Sequence, residues 1–147
     1  KNTKFEFEVD DKDHCETGGE AYEDIAPVLR QLAKRLQKEP HELAIYDPYY
    51  CNGSVKAHLA RRGFPNVYNR NQDFYKMIAE NKCPEFDVVV TNPPYSADHI
   101  DRLLAFLLAS GKPWFALVPN FVYTKGCYKQ FLSNVQRGEV YDGREPF

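Results

Sequence analysis

A short segment in the middle of the chain, FDVVVT at residues 86–91, is apolar almost throughout and runs directly into NPPY. The apolar run is too short for a helix, and an unbroken apolar run of this length is typical of a strand that is covered on both faces. The two prolines that follow remove two backbone donors and hold the chain extended. The segment therefore predicts a central strand of a parallel sheet with a rigid loop at its carboxyl end.

Three other short segments are predicted strands, and stretches with helical periodicity separate them. The strands are expected at 43–47, 66–69 and 113–119, the first and the last of them buried, and the helices at 21–38, 55–62, 74–81, 100–109 and 125–135. Pro27 is tolerated in the first helix only near its first turn. Alternating strands and helices indicate right-handed crossovers. We expect an α/β fold with a Rossmann-like, doubly wound, mostly parallel sheet and helices on both faces, whose ligands bind at the carboxyl ends of the strands.

Composition excludes several classes of protein. With 43% hydrophobic and 27% charged residues in 147, the chain is predicted to be one globular domain, and no apolar run approaches the roughly 20 residues of a membrane span. The net charge of −2 comes from interleaved acids and bases, which does not favour an autonomous duplex-binding protein. We therefore expect no membrane partner. The histidines are scattered and the four cysteines lie far apart in sequence: Cys15, Cys51, Cys83 and Cys127. This spacing predicts no metal site. It also predicts reduced thiols and hence an intracellular protein, without indicating the compartment.

The loop after the first strand, DPYYCNGS at residues 47–54, has features of a nucleoside-binding loop. Asp47 at the strand end can accept a hydrogen bond from a ligand amine or hydroxyl, and Gly53 allows close approach of the backbone. The alternative is an ordinary strand-to-helix turn capped by Ser54. This loop alone leaves both interpretations open.

The NPPY loop is more specific. The carboxamide of Asn92 and the carbonyl of Pro93 can both point outward as acceptors, and Pro94 helps to fix the loop. An amino group on a ring or a carbonyl is a poor nucleophile because its lone pair is delocalised, and two acceptors that favour a pyramidal nitrogen would restore its reactivity. Tyr95 offers a ring for stacking on a planar substrate, and we expect the ring rather than the hydroxyl to carry that interaction.

NPPY preceded by FDVVVT resembles the catalytic motif of class I S-adenosylmethionine-dependent amino-methyltransferases, which act on adenine in DNA or RNA or on glutamine amides in proteins. The DPYYCNGS loop is similar to the cofactor motif of that family. The resemblance implies that S-adenosylmethionine is the cofactor and that its binding residues are Thr17, Asp47, Pro48, Tyr49, Gly53, Asp73, Phe74 and Asn92. Asn69 stands where the family has an acid that binds ribose hydroxyls, and the alternative for Asp73 and Phe74 is a helix cap followed by a core aromatic.

The resemblance also implies a compact and truncated catalytic domain over residues 1–147, with 1–20 as a lead-in. The short distance from 67 to 86 leaves out one strand and helix unit, and we expect the terminal antiparallel hairpin to be absent or incomplete. The implied reaction is methyl transfer to a planar amino nitrogen, foremost the exocyclic amine of adenine. The charge favours RNA, a single-stranded substrate, or a partner subunit that supplies a basic surface. The alternatives are a glutamine-amide methyltransferase and a non-catalytic scaffold of the same fold.

Overall fold

Four short parallel strands form the sheet that carries both motifs. The computed structural model describes residues 17–96 and 98–136. The strands are β1 (Ile45–Tyr46), β2 (Val67–Tyr68), β3 (Val88–Thr91) and β4 (Trp114–Ala116), and they lie in the order β2, β1, β3, β4. All three strand pairs are parallel. The predicted α/β class with a parallel sheet is therefore confirmed.

Within residues 17–96 and 98–136, five helices connect and cover these strands. They are α1 (Gly19–Arg35), α2 (Ser54–Ala60), α3 (Phe74–Ala79), α4 (His99–Ser110) and α5 (Gly126–Gln136), and two 3-10 helices lie at Pro40–Glu42 and Asn120–Thr124. The sequence predicted all five α-helices but neither 3-10 helix. Each strand is shorter than its predicted segment, although hydrogen bonds continue the pairing, as from the Asp47 N–H to the Tyr68 carbonyl at 3.0 Å.

Both faces of the sheet are covered, because successive residues of a strand point to opposite faces. On one face Ile45, Val88 and Val90 pack against apolar residues of α1 and α2. On the other face Tyr46 and Val89 pack with aromatic and aliphatic residues of α3 and α4. The unbroken apolar run of β3 is explained by this double burial, since all four of its residues are buried.

The strand order places a topological switch point between β1 and β3. From β1 the chain passes to β2 on one side and then returns to the other side of β1 to form β3. Asp47 follows β1 and Asn92 follows β3, so the two residues lie at the carboxyl ends of adjacent strands, as predicted. Between β2 and β3 only α3 intervenes, as the pattern of strand, helix and strand in the sequence predicted. Open α/β sheets bind their ligands at such a point.

Three expectations need correction. Pro27 is the ninth residue of α1 rather than part of its first turn, so the helix lacks one internal donor there. β4 is half-buried rather than buried, because it is the last strand of the described sheet and has a neighbour only on its β3 side. The lead-in ends earlier than residue 20, because α1 begins at Gly19. Residues 1–16 of the lead-in and the C-terminal segment, where we expect the terminal hairpin to be absent or incomplete, lie outside the described residues.

Candidate functional site

An open cleft lies at the carboxyl ends of β1, β2 and β3. It encloses about 300 Å³, including space that is open to solvent. Its lining comes from the first turn of α1 and the segment before it, the loop between β1 and α2 with the start of α2, and the residues after β2 and β3: Thr17, Tyr22, Asp47, Tyr49, Cys51, Gly53, Ser54, Val55, Asn69 and Asn92. Five residues that the sequence assigned to the cofactor therefore share one cleft: Thr17, Asp47, Tyr49, Gly53 and Asn92.

Asp47 is buried in this cleft, with 8% of its surface exposed. Its Oδ1 accepts hydrogen bonds from the Thr91 hydroxyl at 2.7 Å and from the Tyr49 N–H at 3.3 Å. Burial raises the pKa of the Asp47 carboxyl to about 7, although these two hydrogen bonds act to lower it. Both bonds reach the same oxygen, so Oδ2 is available to a donor on a ligand.

Asn69 supplies a second acceptor. Its side chain is 1% exposed, and its amide group donates to the backbone carbonyls of Asp47 at 3.2 Å and Tyr49 at 3.4 Å. Those bonds fix the amide orientation, and Oδ1 has no hydrogen-bond partner among the described residues. A buried acceptor without a partner costs roughly 1–3 kcal/mol, which a ligand hydroxyl or amine would recover. Asn69 is therefore a neutral acceptor at the carboxyl end of β2.

Gly53 brings the backbone close to this acceptor. It has φ +78°, a left-handed conformation that glycine adopts without strain. Gly53 is the N-cap residue of α2 and no side chain caps this helix, so the alternative of a Ser54 cap is not observed. A Cβ at Gly53 would lie 3.3 Å from the Tyr50 ring and 3.8 Å from Asn69 Oδ1. The glycine therefore keeps the loop open above Asn69.

Gly53→Ala is expected to destabilise the protein by about 1–2 kcal/mol, because an L-residue with a left-handed backbone is strained and the new methyl group meets the Tyr50 ring. Gly126→Ala is the matched control, because a Cβ there has open space and no positive φ. Urea unfolding of both variants measures the difference. Equal free energies of unfolding for the two variants would show that the loop does not require glycine.

Asn92 and Tyr95 interact directly at the end of β3. The Tyr95 hydroxyl donates to Asn92 Oδ1 at 2.7 Å and also approaches the Leu117 carbonyl at 3.3 Å. The Tyr95 ring is 41% exposed, as a stacking surface requires. Pro93 is buried and Pro94 half-buried, which holds the loop in place. The hydroxyl of Tyr95 thus helps to orient the Asn92 carboxamide, while the role of the ring in substrate stacking stays a prediction.

A hydrogen-bonded group of aromatic side chains supports the loop after β1. The Tyr49 hydroxyl lies 3.1 Å from the Tyr75 hydroxyl, which in turn contacts His99 Nδ1, and Arg102 lies over the Tyr75 ring. Burial raises the pKa of both Tyr49 and Tyr75, so both hydroxyls stay protonated near neutral pH. The group connects the loop to α3 and to the start of α4. It therefore positions Tyr49 in the cleft.

The remaining predicted residues have structural contacts of their own. Asp73 caps α3, because its side chain accepts from the Tyr75 and Lys76 N–H groups. Phe74 is 3% exposed and packs in the core, and Pro48 is buried behind the loop. None of the three lines the cleft. Their assignment to the cofactor stays a prediction, while the structure shows the helix cap and core aromatic that the sequence left as the alternative.

Sequence reasoning missed Thr91 and the aromatic group. Thr91 could have been found from the sequence, because it is the polar residue that ends the otherwise apolar strand VVVT. A buried hydroxyl at that position needs a hydrogen-bond partner. No pattern in the sequence connects Tyr49 with Tyr75 and His99, since these residues meet only after α3 and α4 have packed on the sheet.

The cleft is acidic and acceptor-rich. Among the described residues that line it there is one carboxylate and no basic side chain. The cleft thus suits a ligand with hydroxyl and amine donors and positive charge.

Across residues 17–96 and 98–136, no group of three or more His, Cys, Asp or Glu side chains is arranged to hold a metal ion. In the same ranges, no helix combines the length and apolar character that crossing a membrane requires.

No protein-family model, curated protein or solved structure matches this chain.

Proposed function

We propose that the chain is an S-adenosylmethionine-dependent methyltransferase whose target is a planar amino nitrogen, foremost the exocyclic amine of adenine in RNA or DNA. One observation carries the proposal: Asp47 and Asn92, the first residue of the NPPY loop, follow adjacent strands and line one cleft at the switch point of the sheet. A cofactor loop and an amine-binding loop must be neighbours if methyl donor and acceptor are to meet in line.

The donors and charge of S-adenosylmethionine fit the acceptors of the cleft. Its ribose hydroxyls and amino group are donors, and the cleft has two acceptor atoms to which the described residues donate no hydrogen bond: Asp47 Oδ2 and the buried Asn69 Oδ1. Its sulfonium is a cation, which an acidic cleft accommodates. Nucleotides that carry phosphates, such as ATP or NAD, would find no basic side chain among the described lining residues. The charge of the cleft therefore favours a nucleoside cofactor without phosphates.

The NPPY loop would act on the nucleophile. S-adenosylmethionine, when bound, supplies a methyl group on a positively charged sulfur. Asn92 Oδ1 and the Pro93 carbonyl would accept hydrogen bonds from the target amine, which draws its lone pair out of conjugation as the nitrogen forms a bond to carbon. Asn92 Oδ1 has two lone pairs, so it can accept from the Tyr95 hydroxyl and from the substrate together. As the nitrogen–carbon bond forms, the carbon–sulfur bond would break with its electron pair left on sulfur, and the nitrogen would release one proton to water, so that no general acid is required.

Calorimetric titration with S-adenosylmethionine, and with ATP as comparator, tests the proposal. A ligand of this size that gains about −0.3 kcal/mol per non-hydrogen atom binds with Kd of the order of 1 µM, whereas ATP is expected to bind at least tenfold more weakly. Transfer of a tritiated methyl group to total RNA, DNA and protein then identifies the substrate class. Equal or tighter ATP binding would contradict the cofactor assignment, and cofactor binding without transfer to any substrate would favour the non-catalytic scaffold.

A further inference from the structure

Exposed aromatic side chains follow β4 at the same end of the sheet as the NPPY loop. Phe121 and Tyr123 lie in the 3-10 helix Asn120–Thr124 and are 48% and 65% exposed. The Tyr95 hydroxyl reaches the carbonyl of Leu117, which begins the segment between β4 and this helix. Three aromatic side chains are thus exposed, one in the NPPY loop and two in the 3-10 helix that follows Leu117. Exposed apolar side chains that form one contiguous patch mark a binding surface.

Val122, and not the two exposed aromatic residues, attaches the 3-10 helix to the rest of the domain. Val122, between the two exposed rings, is buried in a cluster with Ile100 and Leu104 of α4. The Thr124 hydroxyl donates to the Phe121 carbonyl at 2.7 Å and closes the turn. Phe121 and Tyr123 therefore contribute little to the core, and their exposure follows from the anchoring of Val122.

Charge in this part of the chain differs from the rest. The whole chain has a net charge of −2, yet the stretch between Asp101 and Glu139 contains no acid and five bases: Arg102, Lys112, Lys125, Lys129 and Arg137. Lys125 directly follows the 3-10 helix and pairs with Asp101 at 3.1 Å, and Lys129 is exposed one helical turn later on α5. Aromatic rings with adjacent lysines are the combination that binds unpaired nucleotides, because the rings stack on bases and the ammonium groups contact phosphates.

We infer that Phe121, Tyr123 and Lys129 bind the unpaired nucleotides that flank the target base, so that the substrate is a single strand. The inference rests on the proposed function for the identity of the target, and it adds the strandedness of the substrate and the surface that holds it. A base in a single strand reaches Tyr95 without being flipped out of a duplex, which would cost a few kcal/mol. A chain with a net charge of −2 binds such a strand through stacking more than through charge.

Fluorescence anisotropy with labelled single-stranded RNA and DNA oligonucleotides of mixed sequence, and with their duplexes, tests the surface without cofactor. The intact chain is expected to prefer single strands. Phe121→Ala and Tyr123→Ala should each weaken single-strand binding roughly 5- to 100-fold, the range that loss of one stacked ring produces. Phe121→Tyr should retain binding because it keeps the ring. Lys129→Gln should lower the slope of log K against log salt by roughly 0.7, as for loss of one phosphate contact on a single strand.

Two matched controls lie away from the surface. Val28→Ala removes an exposed apolar side chain from α1, and Lys34→Gln removes an exposed charge from its last turn. Both should bind like the intact chain. Circular dichroism and thermal melting show whether each variant is folded.

Several results would overturn the inference. These are equal affinity for duplex and single strand, an unchanged affinity in both alanine variants, or binding of a glutamine-containing peptide through Phe121 and Tyr123 in place of oligonucleotides. The proposed function is decided separately by cofactor titration. A chain that binds S-adenosylmethionine but no oligonucleotide would disprove the surface alone, and one that binds single strands through these rings but no cofactor would disprove the methyltransferase alone.

Discussion

Asn92→Ala is expected to lower the single-turnover rate of methyl transfer about 10²- to 10³-fold, while the affinity for S-adenosylmethionine changes less than about threefold. The carboxamide would bind the target nitrogen most strongly as that nitrogen becomes pyramidal, so its removal affects the transition state more than the ground state. Asn66→Ala is a matched control, because this exposed asparagine lies at the amino end of β2, far from the cleft, and donates to the Glu42 carbonyl. A folded Asn92→Ala protein that binds cofactor and transfers methyl at the parent rate would refute the mechanism.

The two parts of Tyr95 are separable in the same assay. Tyr95→Phe removes the hydrogen bond to Asn92 Oδ1 but keeps the ring, and a neutral hydrogen bond of about 0.5–1.5 kcal/mol corresponds to a rate roughly 2- to 12-fold lower. Tyr95→Ala also removes the stacking surface and should weaken binding of a nucleic-acid substrate by a further 1–3 kcal/mol or so. A Tyr95→Phe rate equal to that of the parent would support the expectation from sequence that the ring alone matters.

The architecture was accessible from sequence because the apolar pattern is decided by burial. VVVT could only be a strand covered on both faces, and the helices reveal themselves by apolar residues at steps of three and four. The boundaries were less accessible. β1 and β2 have two residues each, since a strand ends where its neighbour ceases to pair and not where its own apolar residues end. The 3-10 helix after β4 depends on Val122 packing against α4, a tertiary contact that no local pattern encodes.

The candidate site was partly accessible for a similar reason. Residues that directly follow strands, such as Asp47 and Asn92, are placed by topology alone, because parallel strands end at a common edge. Asn69 follows the same rule, yet its importance lies in an amide orientation that is fixed by two backbone carbonyls. The support of Tyr49 by Tyr75 and His99 joins three separate elements, and only the folded arrangement shows it.

The free energy of unfolding is expected to decrease as the pH rises from about 4 to about 7, because of Asp47. Burial raises the pKa of this carboxyl to about 7 from an ordinary value of 3.8, so between these values the folded state holds a proton that the unfolded state releases. The stability that this proton provides is therefore fully present below about 4 and is lost as the pH rises through 7. At 1.36 kcal/mol per pKa unit the loss is at most about 4 kcal/mol.

Asp47→Asn keeps the shape of the side chain and an acceptor for Thr91 but cannot ionise. It should remove this part of the pH dependence and be more stable than the parent at pH 8 by up to about 4 kcal/mol. Asp24→Asn, a change of an exposed carboxylate on α1, should leave the dependence as it is in the parent. Urea unfolding at pH 4, 6 and 8 measures all three proteins. A parent and an Asp47→Asn variant with parallel pH profiles would show that Asp47 does not titrate in this range.

Cofactor binding should show the opposite trend with pH. A ligand amine or hydroxyl that donates to Asp47 binds the ionised carboxylate, so the affinity for S-adenosylmethionine should rise roughly tenfold per pH unit between 5 and 7, with release of up to one proton. In Asp47→Asn the affinity should be roughly 10- to 100-fold lower at pH 7 and independent of pH, since a charge-assisted hydrogen bond of about 1.5–3 kcal/mol is lost. Calorimetry in two buffers with different heats of ionisation counts the released protons. Binding that is independent of pH in the parent, with no proton released, would remove Asp47 from the cofactor site. An Asp47→Asn variant that is more stable than the parent but binds the cofactor weakly and independently of pH would show that the Asp47 carboxylate serves ligand binding and destabilises the fold.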